Sequence, residues 1–124
     1  MKTTPFILLV DDEPDFLDNL SLALEMVGCR PLIATDGFAA LQLLQIQPVD
    51  LIVADINMPA MNGYQLYHQV RRNPQWKEIP FLFLTGCRFL SEGEIRYGKT
   101  LGVNEYLSKP ISVNELIVAI TNKL

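Results

Sequence analysis

An alternation constrains this sequence most: five short apolar runs, each followed by a longer stretch with helical periodicity. Residues 6–10, Phe-Ile-Leu-Leu-Val, are continuously apolar, the mark of a strand buried on both faces. Over 14–27, Phe16, Leu20, Ala23, Leu24 and Val27 recur at three- and four-residue intervals, which predicts one apolar helical stripe. Pro14 suits a first helical turn, and Gly28 is placed to stop the helix. A second strand over 31–34 contains Pro31, which cannot donate to a ladder and so favours a place near a sheet edge. Asp36-Gly37 reads as a turn or cap before a helix over 38–46. A third strand over 51–54 ends at Asp55, residues 57–63 have loop chemistry, and 64–72 form a third helix with Leu66, Val70 and Tyr67 inward. A fourth strand over 80–84 ends at Thr85. Ser91-x-x-Glu94 has capping-box form and starts a predicted fourth helix, although Gly93 and Gly98 lower its propensity. A fifth strand spans 103–107. Ser112-x-x-Glu115 then opens a final helix with Val113, Leu116, Ile117, Ile120 and Leu124 on one face.

Strand–helix units repeated in this way predict an α/β fold: a parallel sheet with helices on both faces, joined by right-handed crossovers. The 124 residues, 49% of them hydrophobic, suffice for one domain over 1–124 with its own core. No repeat, linker or low-complexity tract divides them. The longest early apolar run is too short for a signal sequence or a membrane span, so the expected location is the cytoplasm, with no membrane partner. Cys29 and Cys87 lack metal-ligand spacing and read as reduced, partly buried side chains. The net charge of −4 opposes non-specific binding to nucleic acid, and Arg71-Arg72 is too short a basic patch to reverse that.

The acidic residues are unevenly spread: Asp11, Asp12, Glu13, Asp15 and Asp18 crowd into one short segment. In an open parallel sheet the strand C-terminal ends share one edge, and ligands bind there. That edge collects Asp11 and Asp12, Asp55, Thr85, and Lys109 with Pro110. Singly, these residues read as a turn or cap, a strand residue and a solvated charge. Together they set three carboxylates against one another, at on the order of a few kcal/mol per close pair. Lys109 offsets one charge. All-oxygen donors point to a hard divalent ion, Mg²⁺, for the rest. Magnesium usually takes one or two carboxylates with a phosphate completing its shell, so the cluster suggests phosphate chemistry. Glu13, Asp15 and Asp18 read as neighbours near a helix start, where negative charge is favoured.

In these motifs the chain resembles the receiver domain of two-component response regulators, of the chemotaxis-regulator type. The resemblance rests on Leu8-Leu9-Val10-Asp11-Asp12-Glu13-Pro14, Asp55, Met58-Pro59-Ala60-Met61-Asn62-Gly63, Leu84-Thr85-Gly86 and Tyr106-Leu107-Ser108-Lys109-Pro110, in that order and spacing. It implies a flavodoxin-like, doubly wound five-stranded sheet of order 2-1-3-4-5, with five helices in a three-layer sandwich. Asp55 would accept a phosphoryl group from a histidine kinase or histidine phosphotransfer protein. Asp12, Asp55 and the main-chain carbonyl of Asn57 would hold Mg²⁺, with Asp11 acting through a coordinated water. Lys109 would pair with one phosphoryl oxygen and Thr85 would donate to another. Tyr106 would turn inward as Thr85 moves, which repacks the surface of the fourth helix, fifth strand and fifth helix for a downstream protein or output domain. The Lys109–Pro110 peptide would be cis. Such a domain is not an enzyme beyond its own phosphotransfer and autodephosphorylation, and is a monomer or weak dimer.

Departures from the family pattern cluster on one side. Residue 86 is Gly where many relatives carry Ala, and the segment from Thr85 to Lys109 is longer than usual, with Arg88 and Phe89 beside the expected site. The alternatives are a pseudo-receiver, an interaction module without phosphorylation; an aspartyl phosphatase, opposed by Asn57 where an acid would stand; and a flavin carrier, opposed by Asp-Asp-Glu-Pro in place of a phosphate loop. His68 reads as a surface or boundary residue and Met58 and Met61 as loop packing. Trp76 covers the sheet or touches a partner.

Overall fold

The uninterrupted apolar runs become strands of a single parallel sheet. The computed structural model describes residues 4–85, 105–108 and 111–124. Its strands are β1 (Phe6–Val10), β2 (Arg30–Ala34), β3 (Leu51–Asp55), β4 (Phe81–Thr85) and β5 (Glu105–Ser108), and they lie in the order β2-β1-β3-β4-β5. All four pairings are parallel. Four helices occur among the described residues: α1 (Pro14–Met26), α2 (Gly37–Ile46), α3 (Gly63–Arg72) and α4 (Val113–Thr121). The helix expected from Ser91 onward, and residues 103–104 of the expected fifth strand, lie outside the described residues.

Strand alternation divides the core between the two faces of the sheet. Leu8, Val10, Ile52, Ala54, Phe81 and Phe83 face α2 and α3, where they meet Ala40, Leu44, Leu66, Tyr67 and Val70. Ile7, Leu9, Leu51, Val53, Leu82 and Leu84 face α1 and α4, where they meet Leu17, Leu20, Leu24, Leu116 and Ile120. Both faces of β1, β3 and β4 are therefore covered, which is why those strands are apolar up to the Asp55 and Thr85 that end β3 and β4. β2, with Pro31, is an edge strand and leaves Ile33 exposed.

The stripe expected on α1 is rotated. Leu17, Leu20, Ser21 and Leu24 are its buried residues, whereas Phe16 and Ala23 are half-buried. Val27 is 52% exposed, because it is the C-cap residue and lies beyond the last helical turn. The chain leaves the helix there through Gly28, whose φ of 86° an L side chain adopts only with strain. Leu124 likewise falls past the end of α4 and is exposed, while Leu116, Ala119 and Ile120 form that helix's buried face. Asp36 caps α2 by accepting from Ala39 N at 2.8 Å, and Ser112 caps α4 by accepting from Glu115 N at 3.1 Å.

Candidate functional site

β1 and β3 are adjacent parallel strands, so the residues at their C-terminal ends emerge side by side. Asp11 follows β1 directly. Its N–H donates to Ala34 O at 3.1 Å, which extends the ladder with β2 by one bond. Asp55 closes β3. Both side chains are nearly inaccessible, Asp11 at 1% and Asp55 at 4% exposure. Each is fixed by the same local device: Asp11 Oδ1 accepts from Glu13 N at 3.0 Å, and Asp55 Oδ1 accepts from Asn57 N at 3.1 Å. These turns, in which a carboxylate bonds the backbone two residues on, aim the carboxylates and satisfy one oxygen of each. Asp12 and Glu13 are exposed and close the group from the solvent side; one oxygen from each of Asp11, Asp12, Glu13 and Asp55 lies within 4.8 Å of the others.

Glu13 is the member that sequence reasoning treated only as a neighbour; its adjacency to Asp11 and Asp12 was the available signal. The α1 N-terminus starts at Pro14, and its partial positive charge favours the anionic group beside it. The donors are all oxygen, two buried and two open to solvent, which is the chemistry a hard ion such as Mg²⁺ accepts.

The loop after β3 is tied down by buried side chains and backbone hydrogen bonds. Met58 and Met61 are buried in it, as their reading as packing residues anticipated, and Met61 lies against Gly37 at the start of α2. Met61 N donates to Pro59 O at 2.7 Å and Gly63 N to Ile56 O at 2.9 Å. Ala60 adopts a φ of 67°. Asn62 and Gln65 form a reciprocal capping box at the start of α3, at 2.9 Å in each direction. The Asn62-x-x-Gln65 spacing carries that signal in the sequence, across the boundary between the loop expected over 57–63 and the helix expected over 64–72.

The remaining candidates are distributed as follows. The strand register places Thr85 opposite Ser108 at the end of β4, with its side chain outside the described atoms. Lys109, Pro110, Gly86, Cys87, Arg88 and Phe89 lie outside the described residues, as does the expected cis peptide. Tyr106 is half-buried in β5, its ring 5.4 Å from that of Phe83 and its hydroxyl 2.9 Å from that of Tyr64. His68 is exposed on α3. Trp76 packs partly onto the core and borders a groove of about 320 Å³ with Leu44, Ile46, Val49 and Ile79, at the end of α2 remote from the carboxylates. Cys29 is buried, and burial pushes its thiol above the usual value. No helix among the described residues is long and apolar enough to cross a membrane.

Comparison with known proteins gives one family. The model of the response regulator receiver domain matches residues 7–121. Response regulator SaeR of Staphylococcus aureus is 37% identical over 118 residues, which cover 95% of this chain and 50% of SaeR. The chain thus spans about half the length of the curated relatives it matches. Chemotaxis protein CheY4 of Vibrio cholerae superposes with a TM-score of 0.90 at 31% identity, covering 98% of this chain and 99% of that one. The non-phosphorylated HemR receiver domain of Leptospira biflexa gives 0.84 at 30% identity, covering 96% and 93%.

Proposed function

This chain belongs to the response regulator receiver domain family, and on that premise we propose that residues 1–124 act as one receiver unit that takes a phosphoryl group on Asp55. The observation that carries the reading is the convergence of three carboxylates, Asp11, Asp12 and Glu13, on a nearly buried Asp55 at the end of a central strand. A carboxylate oxygen of Asp55 attacks the phosphorus of a phosphohistidine on a kinase or phosphotransfer protein. The new O–P bond forms as the N–P bond breaks, and the imidazole leaves with the N–P electron pair. Phosphoryl transfer asks the protein mainly for positioning and charge neutralisation. The bond from Asn57 N supplies positioning by fixing the Asp55 carboxylate.

Asp12, Asp55 and the Asn57 carbonyl, with Asp11 through a water, would hold Mg²⁺, which supplies charge neutralisation when bound. Glu13 joins the acidic rim. Lys109 and Thr85 are the proposed phosphoryl contacts, and Thr85 with Tyr106 the switch that presents a changed face to a downstream protein or output domain. The chain turns over no separate substrate and sheds its phosphoryl group to water. Cytoplasmic operation fits this chemistry.

Intact mass after incubation with acetyl phosphate and Mg²⁺ tests the reading. The expected result is one phosphoryl adduct, absent from Asp55→Asn and absent without Mg²⁺. No adduct with any donor identifies a pseudo-receiver instead. Rapid turnover of unrelated phosphoesters without a lasting adduct identifies a phosphatase.

A further inference from the structure

Tyr64 and Tyr106 come from elements that do not adjoin in sequence, yet their hydroxyl oxygens are 2.9 Å apart. Both rings pack against Phe83, fully buried in β4. Tyr64 meets its ring edge-on at 5.1 Å, and Tyr106, the register partner of Phe83 in β5, meets it at 5.4 Å. The hydroxyl pair therefore bridges α3 to β5 across one aromatic ring. Both tyrosines are half-buried, so part of the bond is shielded from competing water.

Tyr64 also follows the residue that touches the candidate phosphoacceptor. The Gly63 backbone lies so close to Asp55 that a Cβ there would sit 2.6 Å from Asp55 O. Gly63 N donates to Ile56 O, and the Asn62–Gln65 capping box fixes the start of α3 around Tyr64. Tyr64 thus stands one residue from the backbone that packs on Asp55, within the capped first turn of α3.

We propose that Tyr64 is a positioning residue for Tyr106: its hydroxyl holds the Tyr106 ring in the resting placement, and phosphorylation at Asp55 releases it, coupling the site to the β5 surface. The proposal rests on the receiver reading above and adds to it a residue and a contact. Its energetic scale is that of one partly buried hydrogen bond between neutral groups, about fivefold in the ratio of paired to released states.

The test uses the whole chain labelled with 3-fluorotyrosine. The Tyr106 ¹⁹F signal is assigned through Tyr106→Phe and followed with and without acetyl phosphate and Mg²⁺, with the adduct counted by mass. In the parent chain, phosphorylation moves the Tyr106 signal. In Tyr64→Phe, which keeps the ring against Phe83 and removes only the hydroxyl, the signal of the unphosphorylated chain already lies part of the way to the phosphorylated position. The displacement on phosphorylation shrinks, and uptake at limiting acetyl phosphate rises by up to about fivefold. A Tyr106 signal unchanged in Tyr64→Phe, or moved the opposite way, overturns the proposal and leaves the receiver reading intact. A parent chain that gains the adduct while Tyr106 stays still overturns the coupling together with the tyrosine switch. A parent chain that gains no adduct overturns the receiver reading itself. The coupling falls with it, and a donor-free Tyr106 signal unchanged in Tyr64→Phe then overturns the positioning role as well.

Discussion

Gly63, the first residue of α3, and Ala60, in the loop before it, place opposite demands on side-chain size. A Cβ on Gly63 would lie 2.6 Å from Asp55 O and 2.8 Å from Ile56 Cα, both backbone atoms that cannot swing aside. Gly63→Ala should lower unfolding free energy by about 1–3 kcal/mol in urea denaturation, the usual cost of overpacking. It should also slow phosphoryl uptake by moving Asp55, and unchanged stability would show that the loop yields. Ala60 has the opposite problem. It is exposed and carries a left-handed φ of 67°, which costs an L residue about 1 kcal/mol or more. Ala60→Gly relieves that strain but adds freedom to the unfolded chain, so a net gain of about 0.5 kcal/mol is expected. A loss of stability in the same titration would contradict it. The Asn-Met-Pro-Ala-Met-Asn-Gly string was legible as loop. That its glycine is there for lack of space rather than for its φ was not, because the neighbour it touches is backbone from the preceding strand.

At the scale of elements, α1 shows where periodicity stops short. Spacing alone admits two adjacent stripes on this helix, one through Phe16 and Ala23 and one through Leu17 and Ser21. The sheet face carrying Leu9, Val53 and Leu82 selects the second. The choice buries Ser21, whose hydroxyl finds no hydrogen-bond partner among the described residues. A buried unpaired hydroxyl costs about 1 kcal/mol or more, and alanine is the better helix former. Ser21→Ala should therefore raise unfolding free energy by about 1 kcal/mol, read as a higher denaturation midpoint with an unchanged slope. A lower midpoint would mean that the hydroxyl does have a partner. Strand positions were more legible than helix faces. The runs in β1, β3 and β4 are apolar on both faces, so their burial does not depend on which way a side chain points.

For the whole molecule, the dominant feature is one concentration of negative charge set into a covered sheet. Asp11, Asp12, Glu13 and Asp55 bring four carboxylates together at the shared ends of β1 and β3. Folding without a cation must work against their repulsion, and solvent reaches only Asp12 and Glu13 freely. Asp55→Asn keeps an acceptor for Asn57 N while deleting one buried charge. In metal-free buffer it should raise stability by on the order of 1 kcal/mol, with a corresponding rise in Tm. Added Mg²⁺ should raise the Tm of the parent chain in proportion to the logarithm of its concentration once the site is filled. That increment should shrink in Asp55→Asn. An equal rise with sodium chloride at matched ionic strength would reduce the effect to screening.

The sequence by itself determined the alternation of strands and helices, the parallel sheet and the candidate acidic edge. Each follows from local chemistry: apolar runs too short for helices, caps and glycines at their ends, and carboxylates at strand termini. Tertiary structure alone decided the rest. It turned α1 onto Leu17 and Ser21, brought Glu13 into the carboxylate group, pressed Gly63 against Asp55, and joined Tyr64 to Tyr106 over Phe83. These are contacts between residues distant along the chain or across a turn. Their geometry is set by how strands stack and helices seat on them, and composition and spacing carry no record of that.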